Sequence, residues 1–406
     1  MSGPLSNYRV IELTSTVSGP MAGMILADQG ADVIKIEPPL FGDTARYLGS
    51  MRAGMGAMFG VLNRNKRSLI LDLKNEQEKS AFFELVKTAD VLIENYRPGV
   101  VQGLGIDYPA LSAINEQLVY ASISGYGQDG PYKNRRVYDP LIQATTGVAA
   151  EQGGDAPQNM RAIVFDKVTG MTTAQAITAA LLQRGKTGRG QYLPISMLNS
   201  ALSYMWPDMM WSRTLLGDDV RHQGELADYF PIFKAKDGYL SIIMVADSAL
   251  ELLCVWRGAE FHLDPRFRTL PDRLANADAF KEAIEGILAD VTTAEACEAL
   301  DAFGVPVARA NALDEVHEDE GVLHAQSLIE TDHPVIGAMR YPRPPVQFAG
   351  SEEDAKAFPS RHAPFMGDHS REILESIGVE ADLIDRLEER EKTNATNLAA
   401  AMSAAQ

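Results

Sequence analysis

Between residues 8 and 124 the chain alternates short apolar runs, rich in β-branched residues, with segments whose apolar positions recur every three or four residues. Residues 8–13 (YRVIEL), 32–36 (DVIKI), 68–73, 91–94 and 118–124 have the length and composition of strands. Residues 21–28, 54–62, 76–88 and 108–115 have the spacing of helices, and Pro20 suits the first turn of one of them. This alternation leaves little freedom, because a helix after each strand returns the chain to the same edge-on direction. It predicts an α/β fold with a Rossmann-like, mostly parallel sheet.

In such sheets ligands bind beyond the carboxyl ends of the strands. Those ends carry Ser15, Thr16 and Val17 after the first run, Glu37 after the second, Asn95, Tyr96 and Arg97 after the fourth, and GYGQDGP (125–131) after the fifth. Neither GxGxxG nor GxxxxGK[ST] occurs, so a nicotinamide dinucleotide or a P-loop nucleotide is not indicated. NRNKR (63–67) precedes the third strand with three cations, Arg64, Lys66 and Arg67, in five residues. Two readings stand: a solvated basic loop, or a clamp for phosphates.

Composition narrows the chemistry. The net charge of −18, from 55 acidic and 37 basic residues, opposes a nucleic-acid surface. No run is long and apolar enough to span a bilayer, and the first residues lack the features of a secretory signal, so a cytoplasmic protein without membrane partners is expected. Cys254 and Cys297 lie far apart in apolar, helix-like runs, which suits buried thiols. All seven histidines lie at or beyond His222 and none falls in a zinc-ligand pattern, so no metal is expected.

A length of 406 residues predicts two or three domains. Residues 1–215 read as a large domain and 216–228 as a linker. Residues 229–330 read as a smaller α+β domain opening with a hairpin. Residues 331–406 read as a proline-rich linker and amphipathic helices at 370–377 and 381–391, with an alanine-rich end expected to fray. The aromatic and methionine-rich run 204–211 (YMWPDMMW) suits a packed core, an interface or the wall of an acyl pocket.

Residues 161–196 carry the candidate chemistry. Asp166 sits where a short apolar segment meets a helix whose apolar stripe is Val168, Met171, Ala174, Ile177 and Leu181, ended by Gly185 and followed by a sixth strand at 191–197. A carboxylate there can cap the helix or act as a nucleophile, and helix N-terminal N–H groups would keep it ionised. Residue types and spacing leave both roles open.

Seven segments in the same order resemble the class III CoA-transferases, the family of formyl-CoA and carnitine-CoA transferases that also includes the α-methylacyl-CoA racemases. They are GPMAGMILADQGADVIKIEPP (19–39), NRNKRSLILDLK (63–74), ADVLIENYRPGV (89–100), SISGYGQDGP (122–131), the Asp166 segment through TGRGQ (187–191), GVPVA (304–308) and GDHSREIL (367–374). The resemblance implies that CoA moves from an acyl-CoA donor to a carboxylic acid through anhydride and aspartyl-CoA intermediates on Asp166, with coenzyme A as substrate and no permanently bound cofactor. It implies that Asp139 is an acidic residue beside the nucleophile. It puts Thr16, Val17, Ser18, Leu71, Leu73, Asn95, Tyr96 and Arg136 at the cofactor, with Arg97 standing in for the cofactor-contacting arginine that formyl-CoA transferases carry at the position of Gly103. It also implies a large domain formed by both chain ends and a small central domain, in an interlocked homodimer. The acyl loop of formyl-CoA transferases is reduced to HQGE (222–225), so formyl or oxalyl specificity does not carry over, and the lack of a long apolar run at the acyl end beyond 204–211 favours a short organic acid or dicarboxylate. The racemase branch places a histidine base directly before the acidic residue, and Tyr138 stands there instead, a phenol poorly suited to that role. The alternatives to a transferase are such a racemase, or a non-catalytic CoA-binding protein in which Asp166 is only a cap.

Overall fold

The computed structural model describes residues 3–153, 155–221, 225–348 and 361–404. The chain divides into two compact units, one made of Met1–Tyr204 with Leu328–Gln406 and one of Met205–Ser327.

The first unit is built on six parallel strands: β1 (Arg9–Leu13), β2 (Asp32–Glu37), β3 (Arg67–Ile70), β4 (Val91–Glu94), β5 (Val119–Ser124) and β6 (Tyr192–Ser196). Their order across the sheet is β3-β2-β1-β4-β5-β6. The connections run outward in one direction from β1 and in the other from β4, so a crevice opens between the carboxyl ends of these two strands.

Both faces of the sheet are covered, which is why the strands read as near-continuous apolar runs. In β1, Val10 joins one core with Val33, Val91 and Val119, whereas Ile11 and Leu13 join the other with Ile34, Ile36 and Leu92. The Val10 face is closed by helices α1 (Ser18–Asp28) and α3 (Phe165–Thr187), the shorter helix α2 (Asp139–Thr145) lying before α3 in the chain. The Ile11 face is closed by the helix Glu76–Lys87 and by Ile373, Leu374, Ile384 and Leu387 from the C-terminal helices Ser370–Ser376 and Ala381–Ala404. Amphipathic C-terminal helices with no core of their own thus bury their apolar stripes on the N-terminal sheet.

Helices α1 and α3 approach closely because glycine lines their contact. A Cβ on Gly170 of α3 would stand 2.7 Å from the Ser18 carbonyl oxygen, and one on Gly23 of α1 would stand 2.0 Å from Glu12 Oε2. A side chain at position 170 would push apart the two helix starts that form the site described below, whereas one at position 23 would meet the buried Glu12 carboxylate of β1.

Several boundaries differ from the sequence expectation. The helix expected at 54–62 begins at Ala57, because Ala53 and Gly54 take φ of 47° and 80° and turn a small hairpin of Met51–Arg52 with Met55–Gly56. Gly185 lies inside α3, and the left-handed Gly188, φ 71°, ends it. Residues expected as loop after 331 include a hairpin of Leu328–His333 with Gly337–Pro342. The alanine-rich end continues the last helix to Ala404, in keeping with the helix propensity of alanine.

The second unit has a three-stranded antiparallel sheet of Ile232–Lys234, Tyr239–Ile242 and Val307–Arg309. Helices Asp247–Arg257, Ala277–Leu288 and Thr293–Ala302 share its core of Phe233, Leu240, Leu253, Phe280, Ile284 and Leu300, and Cys254 is buried within it. Among the described residues no helix is long and apolar enough to cross a membrane.

Candidate active site

A cavity of about 390 Å³ lies beyond the carboxyl ends of β1, β4 and β5, where the strand order reverses. Its walls are the β1–α1 turn (Ser15, Thr16, Ser18), the turn after β4 (residues 95–98), Gly125, the loop carrying Lys133, Arg135, Arg136 and Tyr138, and Asp166.

Asp166 is the second residue of α3 and does not cap it. The N–H groups of Phe165 and Asp166 both donate to Asp139 Oδ2, at 2.5 and 3.0 Å. Asp139, first residue of α2, therefore caps α3 from outside, and its other oxygen accepts from the Gln143 amide. Gln143 in turn accepts the Met160 N–H at 2.7 Å and donates to the Ala162 carbonyl at 3.2 Å, tying down the approach to α3. With both oxygens engaged and only 2% of its surface exposed, Asp139 holds the backbone of Asp166 rather than facing a ligand. The expected cap at Asp166 is corrected: the carboxylate 27 residues earlier does that work.

Released from capping its own helix, the Asp166 carboxylate borders the cavity beside Ser18 at the start of α1, whose hydroxyl and N–H favour its charged form. Its pKa is pushed up to about 6, chiefly by burial and then by the charge of Asp139, with Ser18 opposing. Desolvation thus outweighs the groups that favour the charged form. At pH 7 a carboxyl with that pKa is still about 90% ionised, and it is more basic than a solvated carboxylate.

Of the residues singled out in the sequence, Thr16, Ser18, Asn95, Tyr96, Arg97, Arg136 and Asp166 meet at this cavity. Others do not. Val17 is buried at the start of α1 with 4% exposure, and Leu71 and Leu73 belong to the core shared with the C-terminal helices. The phosphate clamp expected of NRNKR is corrected most firmly. Arg64 pairs with Asp28 at 2.7 Å, Lys66 with Glu12 at 2.7 Å, and Arg67 with Asp32 at 2.5 Å and Glu372 at 3.0 Å, all three cations being buried. Arg64 and Lys66 neutralise buried carboxylates, and the buried Arg67 is paired with the part-exposed Asp32 and the exposed Glu372, because bare charges could not be buried there.

Ser15, placed by the sequence at the carboxyl end of the first strand, lines the same cavity, as do Lys133 and Arg135, which the sequence reading missed. Lys133, Arg135 and Arg136 are exposed, and the Arg135 guanidinium lies over the Tyr132 ring at 3.7 Å. The signal for them was present: a KNRR run beyond the carboxyl end of β5. Glu94, at the end of β4, is a further missed group. It accepts from the Ser122 hydroxyl and from the Tyr96 N–H, and burial pushes its pKa to about 7. His222, Gln223 and Gly224, from the reduced acyl loop, lie outside the described residues. In the run 204–211, Met205 is buried whereas Tyr204 and Trp206 are exposed. Among the described residues no histidine lines the cavity, and no cluster of side chains is placed to hold a metal ion.

Comparison with known proteins bears on this geometry. The sequence model of CoA-transferase family III matches residues 5–370. An acetyl-CoA:oxalate CoA-transferase from Acetobacter aceti is 38% identical over 75% of this chain and 80% of its own length. A succinyl-CoA:glutarate CoA-transferase from Mus musculus is 30% identical over 92% of this chain and 86% of its own. The crystal structure of a CaiB/BaiF family protein from Brucella suis superposes with a TM-score of 0.81 and 29% identity, covering 93% of this chain and all of that one.

Proposed function

This chain belongs to CoA-transferase family III and is an enzyme of that class, and we propose that it moves CoA between carboxylic acids through covalent intermediates on Asp166. The observation that carries the reading is the Asp166 carboxylate. It borders the cavity beside Ser18, is buried enough to be more basic than usual, and shares that cavity with the cations Arg97, Lys133, Arg135 and Arg136.

The steps balance without water, ATP or an external base. An Asp166 oxygen attacks the thioester carbon of the donor, the C–S bond breaks, and a mixed anhydride and CoA thiolate result. The thiolate attacks the aspartyl carbonyl of the anhydride, giving an aspartyl-CoA thioester and the free donor acid. The acceptor carboxylate attacks that thioester, regenerating an anhydride and thiolate. The thiolate then takes the acceptor acyl group, leaving acyl-CoA product and the Asp166 carboxylate. Asp139 keeps the start of α3, and so the nucleophile, in place through the Phe165 and Asp166 N–H groups. The cavity cations suit the phosphates of CoA and the second carboxylate of a short dicarboxylic acid. Relatives acting on oxalate and on glutarate support an acceptor of that class.

The same reading makes the enzyme a cytoplasmic, interlocked homodimer whose central unit is the smaller domain. Sedimentation showing a monomer at working concentration would count against that arrangement. For the chemistry, purified protein is incubated with acetyl-CoA, succinyl-CoA and other donors and analysed by intact mass. A CoA-sized adduct is expected, absent from Asp166→Ala. Exchange of the α-proton on a branched acyl-CoA without any adduct would favour a racemase, and CoA binding with neither would favour a non-catalytic protein.

A further inference from the structure

The turn from β1 to α1 is gripped by side chains from two other segments. Asn95 Oδ1 accepts the Ser15 N–H at 3.0 Å, and its Nδ2 donates to the Ser15 carbonyl at 2.9 Å. Asp43 Oδ1 accepts the Thr16 N–H at 2.8 Å and also caps the 3-10 turn Thr44–Tyr47 through the Ala45 N–H at 2.9 Å. The Thr16 and Thr44 hydroxyls face each other at 3.2 Å. Under these contacts Thr16 is held at φ 72°, a left-handed conformation that a β-branched residue takes only where its surroundings over-determine it.

Asp43 is itself anchored. Only 2% of its surface is exposed, and Oδ2 lies 2.9 Å from Lys35 Nζ, which also reaches Glu12 Oε1 at 2.9 Å and the Thr14 carbonyl at 2.8 Å. The side chains of Lys35, Asp43 and Glu12 are wholly inaccessible. A buried cation thus fixes an anion that fixes a strained backbone. Two residues further on, Ser18 lines the same cavity as Asp166, and its hydroxyl and N–H favour the charged carboxylate.

We propose that Asp43, clamped by Lys35, is a positioning residue for the nucleophile: with Asn95 it locks the strained Ser15–Ser18 turn so that Ser18 meets the Asp166 carboxylate. The inference rests on the reading of Asp166 as the nucleophile. Strain fits this role better than simple stability, since glycine at position 16 would give the same turn without it. Asp139 from α2 and Ser18 from α1 act on the Asp166 carboxylate, and Arg97 from the turn after β4 and Lys133, Arg135, Arg136 and Tyr138 from the loop after β5 line the same cavity. Of these, Ser18 is the one whose position Asp43 controls.

The test is the pH dependence of Asp166 loading in a single turnover with a donor that labels the wild type, read by quench and peptide mass. Wild-type loading is expected to fall on the acid side near pH 6. Losing the support of Ser18 moves that acid limb up by about one pH unit in Asp43→Ala and in Asn95→Ala, a roughly five- to tenfold loss of loading at pH 6. Asp43→Asn keeps an oxygen for the Thr16 N–H but sets an NH2 group against Lys35 Nζ, so the limb moves less than in Asp43→Ala without reaching the wild-type position, a partial rescue that a purely ionic, structural role would not allow. If Asp43→Ala does not fold, Asn95→Ala, half-buried at the cavity rim, carries the test alone. A limb unmoved in the alanine variants that fold, with Asp166 still labelled, overturns the inference. An unlabelled Asp166 in the wild type overturns the nucleophile reading and the inference with it.

Discussion

Two basic segments of nearly equal composition, NRNKR at 63–67 and KNRR at 133–136, have opposite roles. The first is buried and paired with Asp28, Glu12, Asp32 and Glu372, and the second is exposed and lines the cavity beside Asp166. What separates them is the end of the strand each adjoins. NRNKR enters β3 at its amino end, whereas KNRR lies beyond the carboxyl end of β5, the side on which parallel sheets bind ligands. Charge density finds both segments; topology tells them apart.

Substitutions sharpen or break this contrast. The largest effect is expected from Lys66→Met, which leaves the buried Glu12 with one cation fewer and costs about 3–5 kcal/mol in denaturant unfolding. The KM for acyl-CoA of the folded fraction should stay at the wild-type value. Arg136→Ala, and Arg135→Ala likewise, should do the reverse, raising that KM about 10- to 100-fold while unfolding changes by under about 0.5 kcal/mol. A raised KM in an Arg64 variant with an unchanged KM in Arg136→Ala would invert the contrast.

The cavity can also be tested through its anion. The folded Asp166 carboxyl holds its proton to about pH 6, whereas the unfolded one releases it near 3.8. The unfolded state therefore binds fewer protons across that window, and stability falls as pH rises through it. Asp166→Asn should abolish transfer yet raise stability at pH 7 by about 1–2 kcal/mol, with no gain below about pH 4. Glu94→Gln should show the same sign over the window from 4.5 to about 7. The smallest effect belongs to Lys87→Ala, whose partner Glu84 is a solvated neighbour one turn away. Stability should change by under about 0.5 kcal/mol and KM not at all.

The six strands and the cavity's place at their carboxyl ends were legible in the sequence, because a sheet buried on both faces demands apolar runs such as YRVIEL and VLIE. Asp166 was legible as a carboxylate at a helix start. Asp139 was named beside it only through the family resemblance, and its role was not legible: it caps α3 across 27 residues, from an α2 too short for periodicity to reveal. Nor does any propensity mark Thr16 as left-handed, since a threonine there is held by Asp43 and Asn95 against its own preference. The fate of NRNKR depended on carboxylates from β1, α1 and β2 that only the folded sheet brings beneath it.

The central claim is that Asp166 itself carries the acyl and CoA groups. It is tested most directly by mixing enzyme with a labelling acyl-CoA donor, quenching in hydroxylamine and mapping peptides by mass. The account predicts a hydroxamate on Asp166 and none on the buried Asp139. Turnover of the donor with Asp166 unmodified, or a hydroxamate on any other carboxylate, would contradict it.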